Sequence, residues 1–160
     1  MPKLYSVRFT IGETLAEYEV SRAALTRFQA GVQNAQPGFS LPRGTQPHHL
    51  EQAVEELEGT YLIRMWAVFE AAWVSFWRHR TGYAGTIKAM HLIQWAEGVQ
   101  EGHKAADDVT DDVNRVRLYR NFLVHGDHPA PRVPIGDAKM YLNRHLVKLP
   151  DQWPGVDDDD

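Results

Sequence analysis

The 160-residue chain contains no cysteine. A disulfide framework and a zinc site built from thiolates are therefore both excluded. The sequence also has no apolar run long enough to cross a membrane. Its first residues, Met1 to Leu4, lack the apolar region of a secretion signal. We therefore expect a cytoplasmic protein with no membrane partner.

The chain has fewer basic residues than acidic ones. Lys and Arg number 17 against 21 Asp and Glu, which gives a formal net charge of −4. Four of the negative charges stand together at Asp157 to Asp160, so the rest of the chain is close to neutral. Such a chain is not a strongly basic nucleic-acid-binding protein, and any such binding must use a local basic patch. Internal repeats, a Gly-rich phosphate loop and a nucleophile elbow are also missing from the sequence.

Most of the sequence has the periodicity of amphipathic helices. We predict helices over residues 21–34, 48–79, 86–100, 108–125 and 135–148. Ahead of them, Tyr5 to Ile11 alternates apolar and polar residues, which is typical of a strand. Residues 5–20 therefore form either a short β-hairpin or more helix. The fold class that follows is all-α, with one domain over residues 1–150 and an acidic tail over 151–160 that we expect to be disordered.

One segment differs from the rest, Arg120 to Gly126 at the end of the fourth predicted helix. On a helical wheel Arg120 lies in the middle of an apolar arc, while Asn121 and His125, four residues apart, share one edge. Gly126 stands just past the end, where a left-handed C-cap favours glycine. Two interpretations are open. Either these side chains form a polar site, or Arg120 lays its stem along the core and His125 merely favours the helix C-terminus.

The same helix carries a second apolar strip, formed by Leu118 and Phe122. A helix with two apolar strips is expected to bury one in its own core and the other against a partner. A second copy of the chain would be such a partner.

The longest predicted helix carries an isolated charge in its most apolar part. Glu70 is the only charged residue from Met65 to Trp77. A buried carboxylate without a partner is strongly unfavourable. We predict either that Glu70 pairs with Arg120 or that it reaches a gap in the surface.

His125 and His128 have a spacing that can bind a metal ion. No third ligand stands near them in the sequence, and Pro129 follows directly. We therefore predict no metal site, and nothing in the sequence indicates a cofactor.

The motif resembles a known family. Arg120-Asn121-Phe122-Leu123-Val124-His125 is similar to the signature of HEPN-domain ribonucleases, which is Arg, a polar residue, three more residues and His. The segment Arg64 to Glu70 looks like an earlier helix of that family, which often carries an acidic residue facing the cleft. The resemblance covers roughly Leu50 to Leu149. It is greatest to the small stand-alone HEPN nucleases of toxin–antitoxin and phage-defence loci.

The resemblance implies a bundle of four to five helices that acts as a metal-independent endoribonuclease. Such enzymes cleave single-stranded RNA with the substrate's own 2′-OH as nucleophile. Arg120, Asn121 and His125 would be the catalytic residues, because histidine exchanges protons near neutral pH and arginine grips phosphate. Glu70 would support the site.

The family also implies a two-fold homodimer with both motifs in one cleft, where Arg117 and Arg115 would add to a shared basic patch for the substrate. A cognate antitoxin protein would be a further partner. In one branch a tyrosine two residues after the histidine is modified, and here that position is Asp127, so we do not expect this control. The alternatives are a HEPN module that binds RNA or a nucleotide without cutting, and a helical interaction protein in which Arg120 and Glu70 form only a structural ion pair.

Overall fold

One long helix contacts every other helix of the molecule. The structure is a computed structural model that describes residues 3–98, 107–126 and 128–153. The helices are α1 (Leu4–Gln33), α2 (Pro47–Thr81), α3 (Ala89–Gly98), α4 (Asp107–His125) and α5 (Ile135–Leu146). Helices α1, α3, α4 and α5 all pack on α2. The described residues contain no strand, apart from an isolated β-bridge between Lys3 and Gln152. The predicted all-α bundle of four to five helices is confirmed.

The sequence explains why α2 is central. Pro47 opens it at a position where its missing N–H costs nothing, and Gly82 ends it in the left-handed conformation with φ 67°. From Leu62 onwards apolar residues occupy nearly all its faces, so the helix is stable only when it is covered on most sides. Its buried residues are Gly59, Leu62, Met65, Trp66, Phe69, Ala72, Trp73, Phe76 and Trp77. None of the described helices has the length and apolarity that a membrane-spanning segment needs.

The N-terminal segment is helical, so the strand interpretation of residues 5–11 is wrong. Its alternation is misleading because Tyr5 and Phe9 are 75% and 54% exposed. The buried residues Leu4, Ile11 and Tyr18 recur instead every seven residues, which is the spacing of one helical face. Burial against α2 and α5 therefore selects the helix over the hairpin.

Helix α1 also continues through Ser21, where a separate helix was predicted to begin. No proline interrupts it, and the hydroxyls of Thr10 and Thr14 donate to carbonyls four residues earlier, at 2.9 and 2.8 Å. The Ser21 hydroxyl lies 2.8 Å from the hydroxyl of Tyr61 on α2. A residue expected to start a helix thus joins two helices.

The C-terminal segment contacts the body of the protein. Asp151 O accepts a hydrogen bond from Leu4 N at 2.9 Å. Trp153 is 2% exposed, and its Nε1 donates to Ser75 Oγ on α2 at 3.1 Å. The core therefore includes Trp153, three residues past the expected domain end at residue 150. The acidic run at residues 157–160 lies outside the described residues.

Helices α2 and α4 approach each other closely at a glycine. A Cβ placed on Gly59 would lie 3.1 Å from Leu123 Cδ2. Because Gly59 has no side chain, α4 can lie close against α2. The contact is near the C-terminal end of α4, within the motif Arg120 to Gly126. The same broad face of α4 is anchored further back by Val113 and Val116, both 0% exposed.

The core contains a histidine. His145 on α5 is 0% exposed, and neither of its ring nitrogens has a hydrogen-bond partner in the part of the chain that the structure describes. Its ring packs edge-on against Phe69 and Trp73, with centroids 5.6 and 5.0 Å away. Burial, reinforced by the charge of Lys148, lowers the pKa of His145 to about 3. The core accommodates only the neutral imidazole.

We therefore expect acid to destabilise the fold through His145. Its pKa is about 3 in the folded protein against an ordinary 6.5. Between these two values the unfolded chain binds a proton that the folded chain does not. The free energy of unfolding therefore falls as pH decreases from 6.5 towards 3, by up to about 1.4 kcal/mol per pH unit. Urea titrations across this range measure the slope.

The matched variants separate His145 from the carboxylates that also titrate in acid. His145→Leu introduces a side chain of similar volume that does not titrate. In this variant the free energy of unfolding should change much less between pH 5 and 6.5 than in wild type, because 6.5 is the ordinary pKa at which the unfolded histidine takes up its proton. His79→Gln, at an exposed histidine, should keep it. Equal slopes in wild type and His145→Leu would contradict the assignment.

Candidate active-site cleft

The predicted motif lies where α4 ends. The last helical residue is His125, and Gly126 follows with φ 70°, its N–H donating to Phe122 O at 2.8 Å. This left-handed cap turns the chain away from the helix axis. The side chain of His125 is exposed at that turn.

The chain that follows α4 folds back and forms the wall of a cleft of about 300 Å³. The lining residues come from the last turns of α4 and from the segment before α5. They are Arg117, Leu118, Asn121, Phe122, His125, His128, Pro129, Ala130 and Pro131. Three predicted site residues, Arg117, Asn121 and His125, are thus brought to one place.

Arg120 does not line the cleft itself and is connected to it only through Asn121. Its Nη1 donates a hydrogen bond to Asn121 Oδ1 at 3.1 Å, and Asn121 lines the cleft. The Nε of Arg120 is buried and has no hydrogen-bond partner among the described residues. A buried donor without a partner is costly, and because this Nε is closed to solvent, a ligand would have to contact the Nη atoms of the guanidinium. Among the described residues no hydrogen bond joins Asn121 to His125, although they lie one helical turn apart.

Arg117 contributes a partly buried positive charge. Its Nε donates to Asn114 Oδ1 at 2.8 Å, which fixes the side chain along α4. Burial lowers the pKa of Arg117 below its ordinary value. Arginine nevertheless stays charged at neutral pH, so the cleft retains one fixed cation.

Two predicted residues lie elsewhere. Arg115 pairs with Asp112 at 3.5 Å on the surface of α4 and does not line the cleft. Glu70 accepts a hydrogen bond from Trp66 Nε1 at 3.0 Å, one helical turn away on α2. Within the described ranges no ion pair or hydrogen bond joins Glu70 to Arg120, so the predicted pairing is wrong. The indole one turn earlier satisfies the carboxylate instead.

His128 was not among the predicted site residues, yet it lines the cleft with His125. The signal available in the sequence was the three-residue spacing of the two histidines. In the part of the chain that is described, no three His, Asp or Glu side chains group together as a metal site would require.

A larger groove of about 770 Å³ lies on the other side of the α4 terminus, between α1, α2 and α4. It is lined by Tyr18, Arg22, Val54, Glu55, Glu56, Glu58, Gly59, Thr60, Ile63, Tyr119, Phe122, Leu123, Gly126 and Arg132. Phe122 lines both the groove and the cleft, and it is 36% exposed. Its ring therefore forms the ridge between the two.

Glu58 of α2 fixes the segment that walls the cleft. Its Oε1 accepts a hydrogen bond from Ile135 N at the start of α5, at 3.1 Å. Its Oε2 accepts from Arg132, whose Nε lies 3.1 Å away. This hydrogen bond and charge raise the pKa of the Arg132 guanidinium. One carboxylate thus caps α5 and ties the preceding loop to α2.

Comparisons of this chain with protein-family models, curated proteins and solved structures give no match. The functional argument therefore depends on the geometry of the site itself.

We expect Glu58→Ala to lower the free energy of unfolding by about 1–3 kcal/mol, because it removes a helix cap and an acceptor for a charged group. Glu58→Gln keeps one acceptor oxygen and should lose less. Glu55→Ala, an exposed change one turn away on α2, should stay within about 0.5 kcal/mol of wild type. Chemical denaturation compares the three. A Glu58→Ala protein as stable as Glu55→Ala would show that the cap contributes nothing.

Proposed function

We propose that this protein is a HEPN-type endoribonuclease that cleaves single-stranded RNA without a metal ion. The observation that carries the proposal is the arrangement at the end of α4. Arg120 is bonded to Asn121, and Asn121 and His125 share an open cleft. These are the three residue types that the resemblance associates with catalysis. The exposed ring of Phe122 beside them offers a face on which a base can stack.

The reaction needs two proton transfers. The 2′-oxygen of the RNA attacks the adjacent phosphorus, the bond from phosphorus to the 5′-oxygen breaks, and a 2′,3′-cyclic phosphate and a 5′-hydroxyl remain. His125 takes the proton from the 2′-OH as general base. The leaving 5′-oxygen requires a proton, and His128 in the same cleft is the candidate donor.

Arg120 stabilises the charge that builds on the phosphorane. A guanidinium can offer two donors to two phosphate oxygens. The hydrogen bond from Arg120 Nη1 joins it to Asn121, which lines the cleft. Arg117 adds a second cation in the cleft wall. Glu70 has no role in this arrangement.

The alternatives differ in what they leave unexplained. The interaction-protein interpretation depended on a structural ion pair between Arg120 and Glu70, and that pair is not formed. A binding module that does not cut would use the same cleft, so only an activity measurement distinguishes it from a nuclease. By resemblance, the biological role we propose is that of a toxin or defence effector, with a cognate antitoxin as partner.

We expect His125→Ala and Arg120→Ala each to abolish cleavage of single-stranded RNA while the helical circular dichroism spectrum is unchanged. General acid–base catalysis contributes about 10²–10⁴ in rate, so the loss will be visible on a gel. Cleavage should survive EDTA, an all-deoxy strand should stay intact, and the products should end in a 2′,3′-cyclic phosphate. Arg120→Lys should recover part of the activity, because it keeps the charge but loses the planar fork.

Glu70→Gln is the matched control, since it keeps an acceptor for Trp66 and lies outside the cleft. It should cleave like wild type. His128→Ala tests the proton donor and should slow cleavage without weakening RNA binding. Wild-type protein that binds RNA but never cuts it would replace the proposal with the binding module. Cleavage of DNA at an equal rate would overturn the 2′-OH mechanism.

A homodimer is the second part of the proposal. Leu118 and Phe122, the predicted second strip, are 43% and 36% exposed beside the cleft. Val124 on the same terminal turn is 44% exposed. Burying Leu118 and Val124 against a second copy would bring two His125 residues near one substrate and double the local positive charge.

We expect Leu118→Glu to convert the dimer to a monomer, because it places a carboxylate in the proposed interface. Light scattering at micromolar concentration measures the mass, and cleavage should fall with it. Val147→Glu, at a residue that is 63% exposed and directly follows α5, should leave the dimer intact. A wild-type monomer with full activity would contradict the homodimer and leave the proposed cleavage activity unaffected.

A further inference from the structure

The groove beside the cleft combines an apolar floor with a polar rim. Gly59 and Leu123 form part of the floor, where α2 and α4 lie closest. Phe122 stands at its edge with an exposed ring. A flat ligand with apolar faces and a polar edge is the shape that such a surface accommodates.

Two tyrosines present unused hydroxyls to this groove. Tyr18 and Tyr119 are 6% and 9% exposed, so each is more than nine-tenths buried. Neither hydroxyl makes a hydrogen bond within the described part of the chain, and neither is sealed from solvent. Burial raises the pKa of Tyr119, so its phenol is a hydrogen-bond donor at neutral pH. Buried polar groups nearly always find a partner, and here the groove is where that partner would sit.

The charged side chains at the rim of the groove differ in whether they already have a partner. Glu58 and Arg132 satisfy each other. Glu56 accepts a hydrogen bond from Gln52 at 2.8 Å. Glu55 is exposed and has no ion pair or hydrogen bond among the described residues. It is the rim carboxylate with both oxygens available to a ligand.

The groove adjoins the cleft across the Phe122 ring. Phe122 lines both, and Gly126, next to His125, lines the groove. An RNA strand that crosses the end of α4 would pass from the cleft to the groove within one or two nucleotides. A base flanking the phosphate at His125 would therefore reach the groove.

We propose that this groove is a base-binding subsite that selects guanine next to the cleaved phosphate. This inference depends on the proposed ribonuclease function. Guanine presents N–H donors at N1 and N2 and acceptors at O6 and N7. Glu55 accepts from the donors, the tyrosine hydroxyls donate to the acceptors, and the ring stacks on Phe122.

The other bases match less well. Uracil has a single N–H, and cytosine and adenine each have one amino group beside an acceptor, so a carboxylate facing those edges meets a lone pair. A basic peptide could pair with the rim carboxylates, and its carbonyls could accept from the tyrosine hydroxyls, but a nucleobase combines donors, acceptors and a stacking face in one rigid plane. The observations therefore favour a nucleobase.

Mapping of cleavage products on a mixed-sequence single-stranded RNA tests the subsite. Wild type should cut next to guanosine, and replacing that guanosine by inosine, which lacks the 2-amino group, should slow the cut about tenfold or more. A second measurement does not need cleavage. Calorimetry with an all-deoxy strand containing one dG should show tighter binding than the same strand with dI.

Two variants and one control assign the preference to the groove. Glu55→Gln should erase the difference between guanosine and inosine, and Tyr119→Phe should weaken guanosine binding while keeping the ring. Glu51→Gln, an exposed carboxylate of α2 outside the groove, should behave like wild type.

The outcomes separate this inference from the proposed function. RNA cleavage that needs His125 but has no base preference, or a preference that Glu55→Gln and Tyr119→Phe leave intact, overturns the subsite and leaves the nuclease standing. No cleavage, with guanine-selective binding lost in Glu55→Gln, overturns the nuclease and leaves a guanine-binding groove. No selective binding of any nucleotide, with binding of a lysine-rich peptide, replaces the base with a basic partner.

Discussion

The packing of α2 is the constraint on which the other elements depend. Its segment from Leu62 to Trp77 is apolar on nearly every face, so it is stable only when surrounded. The remaining helices supply that cover, and each is positioned by what it buries on α2. Helix α4 in particular rests where Gly59 leaves room for Leu123. The site at its C-terminus is therefore held by the core, although its own side chains are exposed.

The carboxylate of Glu58 connects the wall of the cleft to α2. Without Glu58, the segment before α5 would have neither its anchor on α2 nor a cap for Ile135 N. That segment carries His128 and the prolines that close the cleft. Proline restricts the backbone before and after it, so a short, stiff loop tied at its end keeps His128 near His125. Cleft geometry thus depends on an interaction made on the groove side of the protein.

The sequence predicted those features that arise from local chemistry. The long helix, the end of α4 at His125 and its glycine cap all follow from periodicity and capping, and each was predicted within a few residues. The fold class follows from the same signals. The strand at Tyr5 to Ile11 failed because a seven-residue segment fits both periods, and only tertiary burial distinguishes them.

Pairings across helices were harder to predict, because sequence spacing does not say which faces meet. Glu70 looked in need of a distant cation, but the indole of Trp66, one turn earlier, satisfies it. An i,i+4 partner on the same helix was available in the sequence and was the simpler solution. His128 was overlooked for a related reason, since its position depends on how the loop after Gly126 folds back, which local propensity does not specify.

The charge pattern bears on how a nearly neutral chain could handle RNA. The C-terminus of a helix carries partial negative charge, which repels a phosphate. A phosphate held at the end of α4 therefore needs fixed cations close by, and Arg117 and Arg120, one helical turn apart, stand there. The groove on the other side of Phe122 is lined by Glu55, Glu56 and Glu58 and by Arg22 and Arg132, so acidic side chains outnumber basic ones there. Under the proposed function, this difference between the two sides of the helix terminus would favour a strand with its backbone over the cleft and a base in the groove.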